Sequence, residues 1–177
     1  EVHCAPMSIE DAPNQGAGDL ESSEWFAALN LEFASEGMRL HVKKGAVLDR
    51  PLLVHHHTNG ENNANFLRHE IVVEANAQVQ LIHWCTADDT ATGMVNVMTR
   101  IDAAEGTIVA LDKVQDEGGA VHHVAFEQIN QAKSSQVRIH TGTIQGKWVR
   151  NDLNFRLEGE GCDSVLNGFF LPKDKEF

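Results

Sequence analysis

The stretch Gly142–Leu171, GTIQGKWVRNDLNFRLEGEGCDSVLNGFFL, carries the reading of the fold. From Lys147 to Leu157 the apolar Val149, Leu153, Phe155 and Leu157 alternate with the polar Arg150, Asp152, Asn154 and Arg156. Side chains two apart share one face of a strand, so Leu153, Phe155 and Leu157 are expected inside and Asn154 and Arg156 in water. Glu158-Gly159-Glu160-Gly161 then reads as a sharp corner, because glycine accepts backbone angles that other residues resist. A second strand, Asp163 to Leu171, follows at once.

The strand–corner–strand unit recurs. Ala77 opens QVQLI, Gly106 opens TIVAL, Ser135 opens QVRI and Gly161 opens CDSVL, at steps of 29, 29 and 26 residues. A weaker copy, Gly45 opening AVLDRPLL, lies upstream. A near-constant period of this length is the signature of stacked repeats, each too small to bury its own apolar face. Because the unit is all strand and corner, the expected architecture is an all-β, right-handed β-helix, a solenoid. An ordinary sandwich or jelly roll, whose strands also come at short intervals, is the rival.

The chain has 177 residues, enough for one domain with a sizeable core. Its 26 acidic and 14 basic residues give a net charge of −12. No basic patch is visible, so neither nucleic acid nor an anionic membrane is an expected partner. There is no apolar run of spanning length and no signal peptide. Cys4, Cys85 and Cys162 are odd in number and far apart, which speaks against a disulfide framework and for a reducing, cytoplasmic setting. The first residue is not methionine and the chain stops just after a strand, so a piece of a longer protein is expected.

Residues 1–20, with Pro6, Pro13, Gly16 and Gly18, read as an irregular lead-in to a β-helix core over 21–177. Ser22 or Ser23 is a plausible helix cap. Trp25, Leu29 and Phe33 form one helical face and Gly37 the stop, predicting one helix over about Ser23 to Ser35 that covers the first coil. Paired strands around short corners fill the rest, with polar loops at 58–65, 86–92 and 115–120.

Three constellations could carry chemistry. His55, His57 and Glu61 form H-x-H-x3-E, which resembles the metal-ligand core of the cupin family. The flanking cupin glycines are absent, Asp49 and Arg68 standing in their places, and no second cupin motif follows. A small cupin-like metal-dependent β-barrel is therefore the lesser reading, and a strand end running into a polar loop the plainer one. His83 and Cys85 share a strand face with Trp84 on the other, which makes Cys85 a candidate thiol, either an activated nucleophile or a soft-metal ligand. The plainer reading is a small buried hydrophobe. Cys162 sits at a glycine corner, and His122-His123 alternate faces. A sugar-handling, pectin-lyase-like enzyme would have to draw on Arg100, Asp112, Arg150 and Asp152, which nothing separates from ordinary surface charge. No CxxC, Ser/His/Asp elbow or phosphate loop occurs.

Trp25-Phe26-Ala27-Ala28-Leu29-Asn30, then Phe33, Gly37, Val42, Gly45, Leu48 and Pro51-Leu52, resemble the opening segment of the SufB/SufD family. Arg68-His69-Glu70-Ile71 with Glu74-Ala75-Asn76-Ala77 resembles its next block. Arg150-Asn151-Asp152-Leu153, Gly159-Glu160-Gly161 and Leu166-Asn167-Gly168 resemble its late one. The opening and the Leu-Asn-Gly ending look more like the SufD branch, while Cys85-Thr86-Ala87 is similar to a Cys-Thr-Ala of the SufB branch. The resemblance implies a non-catalytic scaffold for iron–sulfur cluster assembly, pairing with SufB through β-helices and with the SufC ATPase through terminal helical segments. It implies at most a transient iron–sulfur cluster on the assembled complex and assigns no bound cofactor. It carries over no functional residue except Cys85, as a candidate. The strand ladder at the C-terminal end of the β-helix is expected to continue into further chain or to dock on a partner, a second copy included.

Overall fold

The structure, a computed structural model, describes residues 2–6, 25–118 and 120–171. It is a β-solenoid of about five turns, with one helix among the described residues. The strands are β1 (Val2–Pro6), β2 (Glu36–Val42), β3 (Leu52–Thr58), β4 (Asn63–Val73), β5 (Gln78–Ala87) and β6 (Gly93–Ala103), followed by β7 (Ile108–Asp116), β8 (Val121–Gln131), β9 (Gln136–Gln145), β10 (Trp148–Leu157) and β11 (Asp163–Phe170). The helix α1 spans Trp25–Phe33. One sheet runs β1-β2-β4-β6-β8-β10 and the other β11-β9-β7-β5-β3. From β2 onward each turn therefore lays one strand in each sheet, and neighbouring strands of a sheet are parallel. The sandwich alternative falls on this topology, since facing antiparallel layers would not give parallel neighbours one turn apart.

The corners explain the period. Gly45, Asn76, Gly106, Ser134 and Gly161 all have positive φ, between 57° and 72°. In two turns the left-handed residue thus lies one position before the expected Ala77 and Ser135. The amide N–H of each of the first four donates to a carbonyl of the following turn: Gly45 to Ala75 at 3.0 Å, Asn76 to Glu105 at 2.9 Å, Gly106 to Lys133 at 3.1 Å and Ser134 to Glu160 at 2.9 Å. Glycine takes this conformation freely and asparagine tolerates it; Ser134 is held there by its stacked neighbours.

Beside the corners the two sheets close on Leu40, Val42, Ile71, Val73, Val79, Leu81, Ile101, Val109, Leu111, Ile129, Val137 and Ile139, all buried. A second apolar cluster, Leu67, Ala91, Val95, Val97, Val121 and Ala125, lies toward the long-loop side. Leu153, Phe155 and Leu157 face inward as the alternation requires, but β10 and β11 form the last described turn. Leu153 and Leu157 are therefore 38% and 57% exposed, and Leu166 on β11 is 52% exposed.

Two expectations are corrected. Val2–Pro6, placed in an irregular lead-in, form β1 and pair antiparallel with β2; the rest of the lead-in and the Ser22/Ser23 cap lie outside the described residues. The helix does not cover the first turn. It lies against β4, β6 and β8 on the outer face of the six-stranded sheet. It buries Ala27 against Met98 and Phe126, while Trp25 and Phe33 stay 76% and 56% exposed. The reason is polar: Asn30 Nδ2 donates to the Leu67 and Asn96 carbonyls at 2.9 and 3.1 Å, and Asn96 Nδ2 donates to the Phe26 carbonyl at 2.8 Å. This lock orients the helix with Asn30 inward, and leaves the Trp25/Leu29/Phe33 stripe largely exposed, with only the Phe33 ring against Phe66, centroids 5.5 Å apart.

Close stacking sets a testable contrast between two glycines. A Cβ on Gly37 would stand 1.6 Å from the Arg68 carbonyl oxygen, whereas one on Gly45 would meet nothing within 4 Å and bear only its φ of +69°. Gly45→Ala is expected to cost roughly 1–2 kcal/mol, and Gly37→Ala more than the ~3 kcal/mol at the top of the overpacking range. Urea denaturation of both variants checks this; equal losses would contradict the backbone contact.

Candidate functional site

Between the two apolar clusters the interior of the solenoid is polar. Inward residues of a strand lie at every second position, so the register alone lines up this seam. His69, Thr99 and Glu127 follow one another across β4, β6 and β8. His83 and Lys113 stand in one column of the other sheet, and His56, Cys85 and Gln115 in the next. Glu117, just past β7, and His123 on β8 complete it, each 1% exposed.

The seam has three parts. The first is a ring cluster: His56 Nε2 lies 3.1 Å from His69 Nε2, and the rings of His56, His69 and His83 pack pairwise with centroids 5.0 to 5.3 Å apart. Burial lowers the pKa of His69 to about 3 and that of His83 well below the usual imidazole range, with the neighbouring imidazoles adding to the effect. Burial also lowers His56. All three rings are therefore neutral at pH 7 and each keeps a lone pair.

The second part is Cys85, Glu117 and His123, whose ligand atoms converge within 4.8 Å. His123 Nδ1 and Glu117 Oε2 meet at 2.6 Å as an ion-pair contact, although neither side chain has a hydrogen-bond partner. Cys85 Sγ touches His83 Nε2 at 3.4 Å. Burial, then Glu117, pushes the Cys85 thiol far up. The Cys85–His83 pair thus shares a face as expected, but the thiol is held protonated, which opposes an activated nucleophile.

The third part is an ion pair. Lys113 Nζ donates to Glu127 Oε1, with the two side chains 2% and 1% exposed, and also to Asn151 Oδ1 at 2.9 Å. Gln115 Oε1 accepts from Thr143 Oγ1 at 2.6 Å and from Asn151 Nδ2 at 3.1 Å.

The remaining sequence candidates lie elsewhere. His55 and His57 point outward from β3, each bonded to Thr86 Oγ1, at 2.8 and 2.9 Å. The carboxylate that reaches His57 is Asp88, at 3.0 Å; Glu61 is exposed in the β3–β4 loop. His56, between them, is the histidine that enters the interior. Arg100 pairs with Asp102 and Arg150 with Asp152 on the outer face, and Asp112 accepts from Gln80. Cys162 Sγ sits at its corner, 3.2 Å from the Gly159 carbonyl. The inward Lys113, Gln115, Glu117, Glu127 and Asn151 were not singled out from sequence. Their signal is the register: Lys113 and Gln115 are even steps from Leu111, although Val114 looks the better core residue.

Removing one partner of the buried pair should expose its cost. Lys113→Met is expected to destabilise by about 3–5 kcal/mol, and Lys113→Met with Glu127→Gln to recover most of it. Chemical denaturation of the single and double variants measures both; a single variant costing under about 1 kcal/mol would contradict the pairing.

Comparison with known proteins agrees with this architecture. The chain is 25% identical over 174 residues to the iron–sulfur cluster assembly protein SufD of Escherichia coli (strain K12), covering 96% of this chain and 41% of that protein. It is 26% identical over 138 residues to the iron–sulfur cluster assembly protein SufB of Bacillus subtilis (strain 168), covering 77% of this chain and 30% of that protein. The chain thus spans less than half the length of either relative. The family described as SUF system FeS cluster assembly, SufBD core domain, matches residues 56–177, more than half of the chain, and the chain belongs to that family.

Proposed function

We propose that this chain is the β-solenoid core of a non-catalytic scaffold subunit of SufD type, which acts by pairing with a SufB-type solenoid in a complex driven by a SufC-type ATPase. The observation that carries this reading is the match to the SufBD core domain family together with the SufD and SufB relatives; the flank formed by β10 and β11 is a surface on which a further coil, of this protein or of a partner, can stack. Leu153, Leu157, Leu166 and Phe170 stand exposed there, around a groove of about 340 Å³ that Ile139, Thr141 and Thr143 floor. Each strand carries a row of backbone donors and acceptors toward that flank. A coil of the same kind, rising about 4.8 Å above it, would continue both ladders and cover the apolar side chains. The non-catalytic role is supported by the outward Arg100–Asp102 and Arg150–Asp152 pairs, whose charges neutralise each other, and by a thiol that burial holds protonated. The setting proposed is cytoplasmic; the described helix is not long and apolar enough to cross a membrane.

The full-length gene product carrying this chain is expected to co-purify with a SufB-type protein and an ABC-type ATPase. Light scattering should give a mass above that of one subunit, and ATP hydrolysis should vanish when the ATPase is removed. A strict monomer at high concentration that captures neither protein would overturn the scaffold reading.

A further inference from the structure

We propose that His56, His69 and His83 together hold one divalent transition-metal ion of the zinc class, in the mouth of the solenoid beside its first turn, with the fourth coordination position left to water. This inference stands apart from the scaffold role and needs no partner subunit.

The three ligand atoms come from three strands in two sheets and lie within 4.8 Å of one another. His56 Nε2 and His69 Nε2 are 3.1 Å apart. In a tetrahedral site with metal–nitrogen bonds of 2.0–2.1 Å, two ligand nitrogens stand about 3.3 Å apart, so this pair already has the required edge. Without an ion, one of the two must donate its single N–H to the other. With an ion, His56 and His69 both turn lone pairs on one centre, and a ring nitrogen of His83 lies within 4.8 Å of theirs.

The surroundings suit a cation of this class. The Glu117 carboxylate acts electrostatically on His56 and offsets added positive charge. A small void of about 10 Å³ lined by His69, His83, Thr99 and apolar side chains adjoins the rings. Entry is through His56, which is only partly buried on β3, the last strand of its sheet. Imidazole donors select zinc, copper, iron or nickel over magnesium and calcium.

The neighbouring Cys85, Glu117 and His123 are the competing site. There the carboxylate and imidazole already sit against each other at 2.6 Å, and a metal bound there would carry a thiolate ligand that the three imidazoles do not supply. His55 and His57 are the other competitors, on the outer face.

The test is a titration of the chelator-treated chain with Zn²⁺ and with Co²⁺. Expected are one ion per chain, a rise in Tm on loading, and a tetrahedral Co²⁺ spectrum without a thiolate charge-transfer band. His56→Ala, at a partly buried edge position that leaves the core intact, should weaken binding at least about tenfold, the scale on which even outer partners of a metal ligand act. His83→Gln should do the same, and the paired His55→Ala, His57→Ala variant should bind as the parent does. The proposal is overturned by no stoichiometric binding, by a thiolate band lost in Cys85→Ser, or by binding that disappears with His55 and His57 but survives His56→Ala.

Discussion

The structure depends on a backbone hydrogen bond that runs from the corner of one turn to the corner of the next. Gly45, Asn76, Gly106 and Ser134 each turn their N–H along the stack by adopting positive φ. A corner that failed to do so would leave its amide unpaired and its strand out of step with the one beside it. Because strand side chains alternate with a period of two, a slip of one residue would exchange the interior with the surface throughout that turn. The corners therefore hold the register, and the register decides which side chains meet inside.

That placement builds an interior of two kinds. Next to the corners the columns are Leu, Ile and Val, packed as in any parallel sheet covered on its inner face. A few residues further along the same strands the columns become His69, Thr99 and Glu127 opposite His83 and Lys113. Hydrophobic burial beside the corners and at the long-loop side compensates for polar burial between them. The Lys113–Glu127 pair satisfies much of its own need. The imidazoles and Glu117 do so only in part, and such unmet hydrogen-bonding capacity in a packed interior marks a place where a ligand has something to bind.

The repeat was legible in the sequence because glycine and small residues mark the corners and β-branched residues mark the strands; both are local signals. The family resemblance in Arg150-Asn151-Asp152-Leu153 and Gly159-Glu160-Gly161 was legible for the same reason, since these residues stack directly on the preceding turn. The helix face was misjudged because Trp25, Leu29 and Phe33 are the most apolar stripe, while the contact is decided by a buried asparagine and a small alanine. The seam was missed in part because Lys113 and Glu127 look like surface residues until each is paired across the interior with the other. His55-His56-His57 shows the difference most sharply. The spacing singled out the outer two, and the register turns the middle one toward His69 and His83.

The fold rests on parallel turns joined corner to corner, and amide hydrogen exchange followed by NMR reads this directly. The amides of Asn76, Gly106 and Ser134 lie in corners, where ordinary loops exchange fast. Exchange as slow as that of the strand-interior amides of Val97 and Leu111 is the result expected from stacked corners. Rapid, loop-like exchange at all three, with the strands still protected, would contradict it.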